Sequence, residues 1–238
     1  MSIISIFNLF LYQPSFNLLI LLYVYIPGHD LGVAVIVLTI LVRLLFYPLS
    51  VKSIKTQEAM NKIQPRLKEV KEKFKNDVQK QSAEMMALYK KHNISPWSNF
   101  LFMLIQIPVI IALFQVFSRG FGPEILQPNL YSFIAMPDLS SPTLFGILNL
   151  TQSNMVVAVL AGVTQFFQTK MITPSSKKEK GESKKATGAG MQKSMLYFFP
   201  LFTIYILSRL NSAVGLYWLT SNLFALVQQY YLLKRKHD

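Results

Sequence analysis

Apolar runs of about 20 residues, the length that spans a bilayer, alternate along this chain with polar, lysine-rich stretches. Five runs are predicted as membrane-spanning helices: 31–51, 97–118, 152–171, 194–209 and 213–233. Only a few residues around Arg209-Leu210-Asn211 join the last two, which predicts a tight antiparallel hairpin there. Residues 119–151 form the loop between the second and third spans. A segment rich in Ser, Gly and Lys, 172–193, follows the third and has the composition of a disordered loop. Between the first two spans, 52–96 switches to helical periodicity. Ile63, Leu67, Val70 and Phe74 make one apolar stripe, and Met85, Leu88 and Tyr89 a second after the polar turn Lys75-Asn76-Asp77. Two short amphipathic helices facing each other across that turn are predicted, either as a plain linker or as a docking arm.

The N-terminal segment, 1–30, is less regular. Residues 3–26 are apolar, yet Tyr12-Gln13-Pro14-Ser15 and Asn17 interrupt them, and Phe16, Tyr23 and Tyr25 are of the kind that settle at a membrane surface. The preferred reading is an amphipathic interfacial helix on the outer face. A sixth span is the alternative.

Charge settles the expected orientation. The chain of 238 residues is 52% hydrophobic and 15% charged, with a net charge of +13. Of its 24 Lys and Arg residues, 11 fall in 52–96, 7 in 170–193 and 3 in the tail 234–238, so 21 share one side if there are five spans. By the positive-inside rule that side is the cytoplasm, and the N-terminus is then outside. Six crossings would put the N-terminus inside and leave the rest unchanged. The same clustering argues against specific nucleic-acid binding. With no cysteine and three scattered histidines, no thiol chemistry, metal site or cofactor is expected.

Polar residues within the spans are the candidate chemistry. Arg43 lies near the middle of the first span, and no Asp or Glu lies in any span to neutralise it. A cation at the bilayer centre costs roughly 2.5–3.5 kcal/mol or more, so water, helix-end carbonyls, lipid phosphate or a visiting guest must meet it. Gln106 precedes Pro108 in the second span; Gln165 and Gln168 are three apart in the third; Trp218, Asn222 and Gln229 share one face of the fifth. These faces can converge on a wet interior that suits an anionic or polar guest. Each Gln or Asn can equally serve as a plain interhelical hydrogen bond. With no intramembrane carboxylate relay, nucleophile or nucleotide motif, catalysis and ion-coupled transport are not expected.

Several stretches together carry a resemblance. LGVAVIVLTILVRLLFYPLSVKSIKTQEAMNKIQP (31–65), EMMALYKKHNISP (84–96), LIQIPVIIALF (104–114), GVTQFFQTKM (162–171) and GLYWLTSNLFALVQQ (215–229) resemble, in order and spacing, the YidC/Oxa/Alb membrane protein insertases. The bacterial YidC branch without a large periplasmic domain is the nearest in pattern. One departure is Ser95-Pro96-Trp97-Ser98-Asn99, where the family usually shows Asn-Pro followed by Gly-Cys. The resemblance implies an all-α polytopic fold of five transmembrane helices around a hydrophilic groove. The groove would be closed outside and lined by Arg43, Gln106, Gln165, Gln168, Trp218 and Asn222, with 52–96 as a substrate-capturing hairpin. It implies a non-enzymatic insertase and chaperone of the bacterial cell membrane, with nascent membrane proteins and lipids as partners. The ribosome and a Sec translocon are further candidates. A small-solute channel or transporter is the rival class, and would call for pore charge rings or inverted repeats.

Overall fold

The computed structural model describes residues 2–95, 97–119, 122–139, 142–173 and 187–234. Helix α1 (Ile3–Phe7) runs through a π-helical turn (Asn8–Tyr12) into α2 (Gln13–Tyr25); α3 (Leu31–Leu45) and α4 (Tyr47–Lys73) follow, then α5 (Val78–Lys91) and α6 (Trp97–Ser118). A short α7 (Pro123–Asn129) and a two-residue antiparallel pair, β1 (Thr143–Leu144) and β2 (Leu148–Asn149), precede α8 (Met155–Ile172), α9 (Thr187–Leu207) and α10 (Ser212–Lys234). The fold is thus mostly helical, as the hydrophobic pattern predicts.

Three boundaries differ from the sequence reading. The first predicted span, 31–51, is broken: α3 stops at Leu45 and the chain bends by 66° into α4. Pro48 is the cause, since it has no N–H to donate and its ring clashes with the carbonyl one turn earlier. It fits instead in the first turn of a new helix. Second, the N-terminal interruption is not a break. The wide π-turn, in which the Gln13 N–H reaches back to the Asn8 carbonyl, gives Pro14 room, and Ile4–Tyr25 is one continuous helix. Third, α9 begins at Thr187, inside the segment 172–193 expected to be disordered. The rest of that expectation, 174–186, and residues 235–238 of the tail lie outside the described residues.

Among the described residues, Ile4–Tyr25 and Met155–Ile172 are each long and apolar enough to cross a membrane, as are α3 and α4 together as a bent pair. Helices α6, α9 and α10 run 22, 21 and 23 residues, long enough to cross at about 1.5 Å per residue.

Packing places α8 at the centre of the bundle, against both α9 and α10, while α10 also packs on α3. The last two spans therefore do not form the hairpin that their short link suggests. Gly162 permits this, because a Cβ there would run into the Ile204 side chain and the Pro200 carbonyl. The apolar core occupies one end of the bundle. It is built from the first half of α3 (Leu31, Val35, Leu38), the last half of α6 (Leu113, Val116, Phe117) and the first halves of α8 and α10 (Ala158, Ala161, Ala213, Val214).

Helix α2 closes over that end with Phe16, Leu19 and Ile20, all fully buried. Polar bonds fix it there. Asn17 donates to the Gln13 and Asn129 carbonyls at 2.8 Å each and accepts from the Tyr131 N–H at 2.7 Å; the Tyr23 hydroxyl donates to the Asp138 carbonyl at 2.7 Å. Asp30 caps α3 by accepting from the Val33 N–H at 2.8 Å and also accepts from the Phe145 N–H, tying the β1–β2 turn to the same end.

Of the amphipathic stripes, Ile63 and Leu67 of α4 are buried against Met85, Leu88 and Tyr89 of α5, with Ile94 completing the cluster. Val70 and Phe74 do not join it. The base of α4 is braced, because it packs on α6 and Asn61 donates to the Ile172 carbonyl of α8 at 2.5 Å.

Candidate functional site: a polar cavity around Arg43

The bend after Leu45 changes where Arg43 stands. It is not mid-span but in the last turn of α3, where unpaired carbonyls and the negative end of the helix dipole favour a cation by about 0.3–1 kcal/mol. Its side chain lines a cavity of about 450 Å3, room for on the order of ten waters at about 30 Å3 each. The cavity lies beyond the apolar core, at the other end of the same helices. From α8 it receives Gln165, Gln168 and Thr169, and from α10 Tyr217, Trp218, Ser221 and Asn222. Both glutamines of the third span face it, so the two registers left open by the sequence are both occupied.

Two bonds hold this lining in place. The Trp218 indole Nε1–H donates to Gln165 Oε1 at 3.1 Å, and Asn222 Nδ2 donates to the Ala161 carbonyl at 3.1 Å. Each ties α10 to α8. Asn222 is buried, which is consistent with a helix-joining role, whereas Gln168 is half-exposed toward the cavity.

Among the described residues Arg43 has no carboxylate partner. The ion pairs there are Lys62–Glu58 at 2.9 Å and Lys80–Asp77 at 3.6 Å, both within the α4–α5 pair. The other two arginines outside the basic blocks each rest on a tyrosine ring, Arg119 over Tyr12 at 4.7 Å and Arg209 over Tyr205 at 5.6 Å. Arg43 has neither kind of partner, and it is the single charged residue among the described residues lining the cavity.

Gln106 is not among the lining residues; α6 contributes Ile110, one turn later. Gln229 is buried elsewhere, and its neighbour Gln228 donates to Ser50 Oγ at 2.6 Å, pinning the end of α10 to the start of α4. Gln57, Thr169, Tyr217 and Ser221 were missed from sequence. Gln57 lies on α4, inside the stretch assigned to the hairpin, and only the turn at Pro48 brings it back to the cavity. Tyr217 and Ser221 sit beside Trp218 and Asn222 and could have been read from a wider polar face on α10.

Arg43, the amides and the hydroxyls together make a positively charged, hydratable recess, walled off at one end by the apolar core. A family model described as 60Kd inner membrane protein matches residues 22–238. The chain belongs to that family. Membrane protein insertase YidC of Clostridium tetani is 35% identical over 215 residues, covering 89% of this chain and 86% of that one. Its counterpart in Fusobacterium nucleatum is 34% identical over 206 residues, with 87% of each chain covered. The YidC of Nitratidesulfovibrio vulgaris is 32% identical over 230 residues, but these make up only 39% of its length. A crystal structure of an active YidC insertase, with its first transmembrane domain resolved, superposes with a TM-score of 0.57 over 92% of this chain and 46% of that one, at 24% identity; this likeness shows the fold. Family membership and the long apolar helices make this a multi-pass protein of the cell membrane.

Proposed function

We propose that the chain is a membrane protein insertase that uses the cavity around Arg43 as a half-channel for hydrophilic segments of nascent membrane proteins. The observation that carries this reading is an arginine without a counter-charge among the described residues, facing a polar cavity that an apolar core closes at one end. Of five spans (α3 with the start of α4, α6, α8, α9 and α10), all but α9, which packs on α8, contribute residues to the cavity, which opens toward the cytoplasm. Crossing bare hydrocarbon is costly for any unpaired polar group. A recess reaching part-way shortens that path, and Arg43 attracts acidic residues of the segment to be moved. The apolar helix of the substrate leaves sideways into lipid, and its partitioning drives the step without a nucleotide.

The basic blocks support a cytoplasmic position for α4–α5 and for the chain end, by the positive-inside rule. The small cluster at Ile63 and Leu67 gives α5 little to hold it, which suits an arm that meets nascent chains. The N-terminal helix lies across the outer surface: Tyr12, Asn17 and Tyr23, spread over about 16 Å of helix, each meet successive parts of the outer segment at Arg119, Asn129 and Tyr131, and Asp138. A helix diving through the bilayer would leave that segment.

The test is site-specific photocrosslinking during synthesis of a short single-span membrane protein. Probes at Gln168 and Ile110 should capture the nascent chain, while probes at Val35 and Phe117, within the apolar seal, should not. Equal capture from both sets would overturn the half-channel.

A further inference from the structure

A second cavity, of about 460 Å3, lies apart from the one around Arg43, between the start of α4 and the chain following α5. Lys52 and Lys55 line it from α4 and His92 from the end of α5, while Pro48, Val51 and Ile94 give it an apolar wall. Among the described residues no Asp or Glu lines it. Among the described residues neither lysine has a carboxylate partner, and the acids of α4 and α5 that form ion pairs hold Lys62 and Lys80 instead. Lys52 and Lys55 are three residues apart and project from one face of the helix.

The far wall is built by packing. α5 ends in a Schellman turn: the Ile94 N–H donates to the Tyr89 carbonyl at 2.9 Å, and the Asn93 N–H to the Lys90 carbonyl at 3.1 Å. Asn93 takes the left-handed conformation this turn needs, with φ 52°, and Ile94 is buried against Ile63 and Leu67. His92 is thereby held opposite the two lysines.

Depth decides what such a cavity meets. α3 has 15 residues, or about 22 Å. Over the eight residues from Tyr47 to Lys55 the 66° bend leaves about 5 Å of advance along the axis of α3. Measured from the polar cap at Asp30, Lys55 stands about 27 Å across a hydrocarbon layer of about 30 Å. That is the inner boundary, where lipid phosphates lie. The lining is amphiphilic in the matching sense, since the apolar Pro48 and Val51 precede Lys52 and Lys55 along α4 as it leaves α3.

We infer that this cavity binds the phosphate of an anionic membrane lipid, with Lys52 and Lys55 on the phosphate oxygens and the glycerol against Pro48 and Val51. The site rests on the proposed placement of α3 across the bilayer. A bound lipid would fix the base of α4 at the membrane surface, leaving the distant α4–α5 turn free to move.

The test is native mass spectrometry of the whole protein in detergent, offered equal amounts of phosphatidylglycerol and phosphatidylcholine. The protein should retain one phosphatidylglycerol in preference, and Lys52→Gln with Lys55→Gln should lower that preference about 30-fold, at about fivefold for each lysine. Lys68→Gln with Lys71→Gln removes the same charge from an exposed stretch of α4 and should leave the preference intact. Equal retention of the two lipids, or equal loss in the two double variants, would overturn the site. Displacement of the lipid by millimolar inorganic phosphate or glycerol 3-phosphate would reassign it to a free phosphate. Displacement by a short RNA hairpin would overturn the lipid assignment in favour of nucleic acid. The measurement needs no insertion activity, so its failure and that of the half-channel are separate results.

Discussion

Replacing Arg43 by alanine removes the single charge among the described residues lining the polar cavity. A sphere of 450 Å3 has a radius of about 5 Å, so an acidic side chain of a substrate inside it would lie about 5 Å from the guanidinium. At that distance the attraction is about 3 kcal/mol with an effective dielectric of 20, and about half that if the cavity is well hydrated. Insertion of a substrate with one acidic residue in its translocated segment should therefore fall about 10- to 150-fold. The same substrate with Asn in place of Asp should be little affected. Arg43→Lys keeps the charge and should retain most of the activity, losing only the planar, bidentate geometry. The assay is protease protection of a single-span substrate synthesised in the presence of proteoliposomes holding each variant. Equal losses for acidic and neutral segments would refute an electrostatic role and make Arg43 a structural residue.

Asn17→Leu should destabilise the end of the bundle that α2 covers by about 2–4 kcal/mol, since it strands the Tyr131 N–H and Asn129 carbonyl. Thermal unfolding in detergent measures this, and a change below about 0.5 kcal/mol would show that water replaces the side chain. Replacing residues 64–91 with a Gly/Ser bridge should leave thermal stability near normal, because the α4–α5 cluster is small and separate from the main core. Insertion should fall; collapse of the bundle would make the pair a brace, and unchanged insertion a linker. A label at residue 2 should be reachable from outside intact cells, whereas protection there with 174–186 still internal would establish a sixth span.

Helix positions were legible because each span carries its own apolar run, and α6 and α10 begin within a residue of their predicted starts. The break in the first span was less so. Leu44, Leu45, Phe46 and Tyr47 keep the run apolar across the point where Pro48 ends the helix, so hydropathy hides what backbone chemistry dictates. That break moves Arg43 from the middle of a helix to its end and brings Gln57 to the cavity, so a local error became a site error. The continuity of the N-terminal helix was hidden for the opposite reason. Asn17 looks like an interruption only until its partners near residues 129–131 are known, and no local pattern contains them. Periodicity located the faces of α8 and α10 well, since Gln165, Gln168, Trp218 and Asn222 all reach the cavity. It could not separate them from Gln106 and Gln229, because a lone amide on an apolar helix has no local mark of which neighbour it will face.

The same helices are apolar at one end and polar at the other, and this asymmetry constrains how such a device can work. In α3, Leu31, Val35 and Leu38 belong to the apolar core and Arg43 to the cavity; α10 runs from Ala213 and Val214 in the core to Trp218 and Asn222 in the cavity. A polar segment entering the recess meets a closed end, so the cavity alone cannot carry it across. The remaining free energy must come from the substrate. A span of about 20 residues gains roughly 0.3–0.6 kcal/mol for each strongly apolar residue it places in lipid, or about 6–12 kcal/mol in all. Each acidic residue taken through the centre costs roughly 2.5–3.5 kcal/mol. The gain therefore offsets two to four such residues without help. An attraction of about 1.5–3 kcal/mol at Arg43 is close to the cost of one of them. On the proposed half-channel the cation would therefore matter most for substrates whose own apolar span falls just short of its acidic load, and a long tail with many acids would need a different machine.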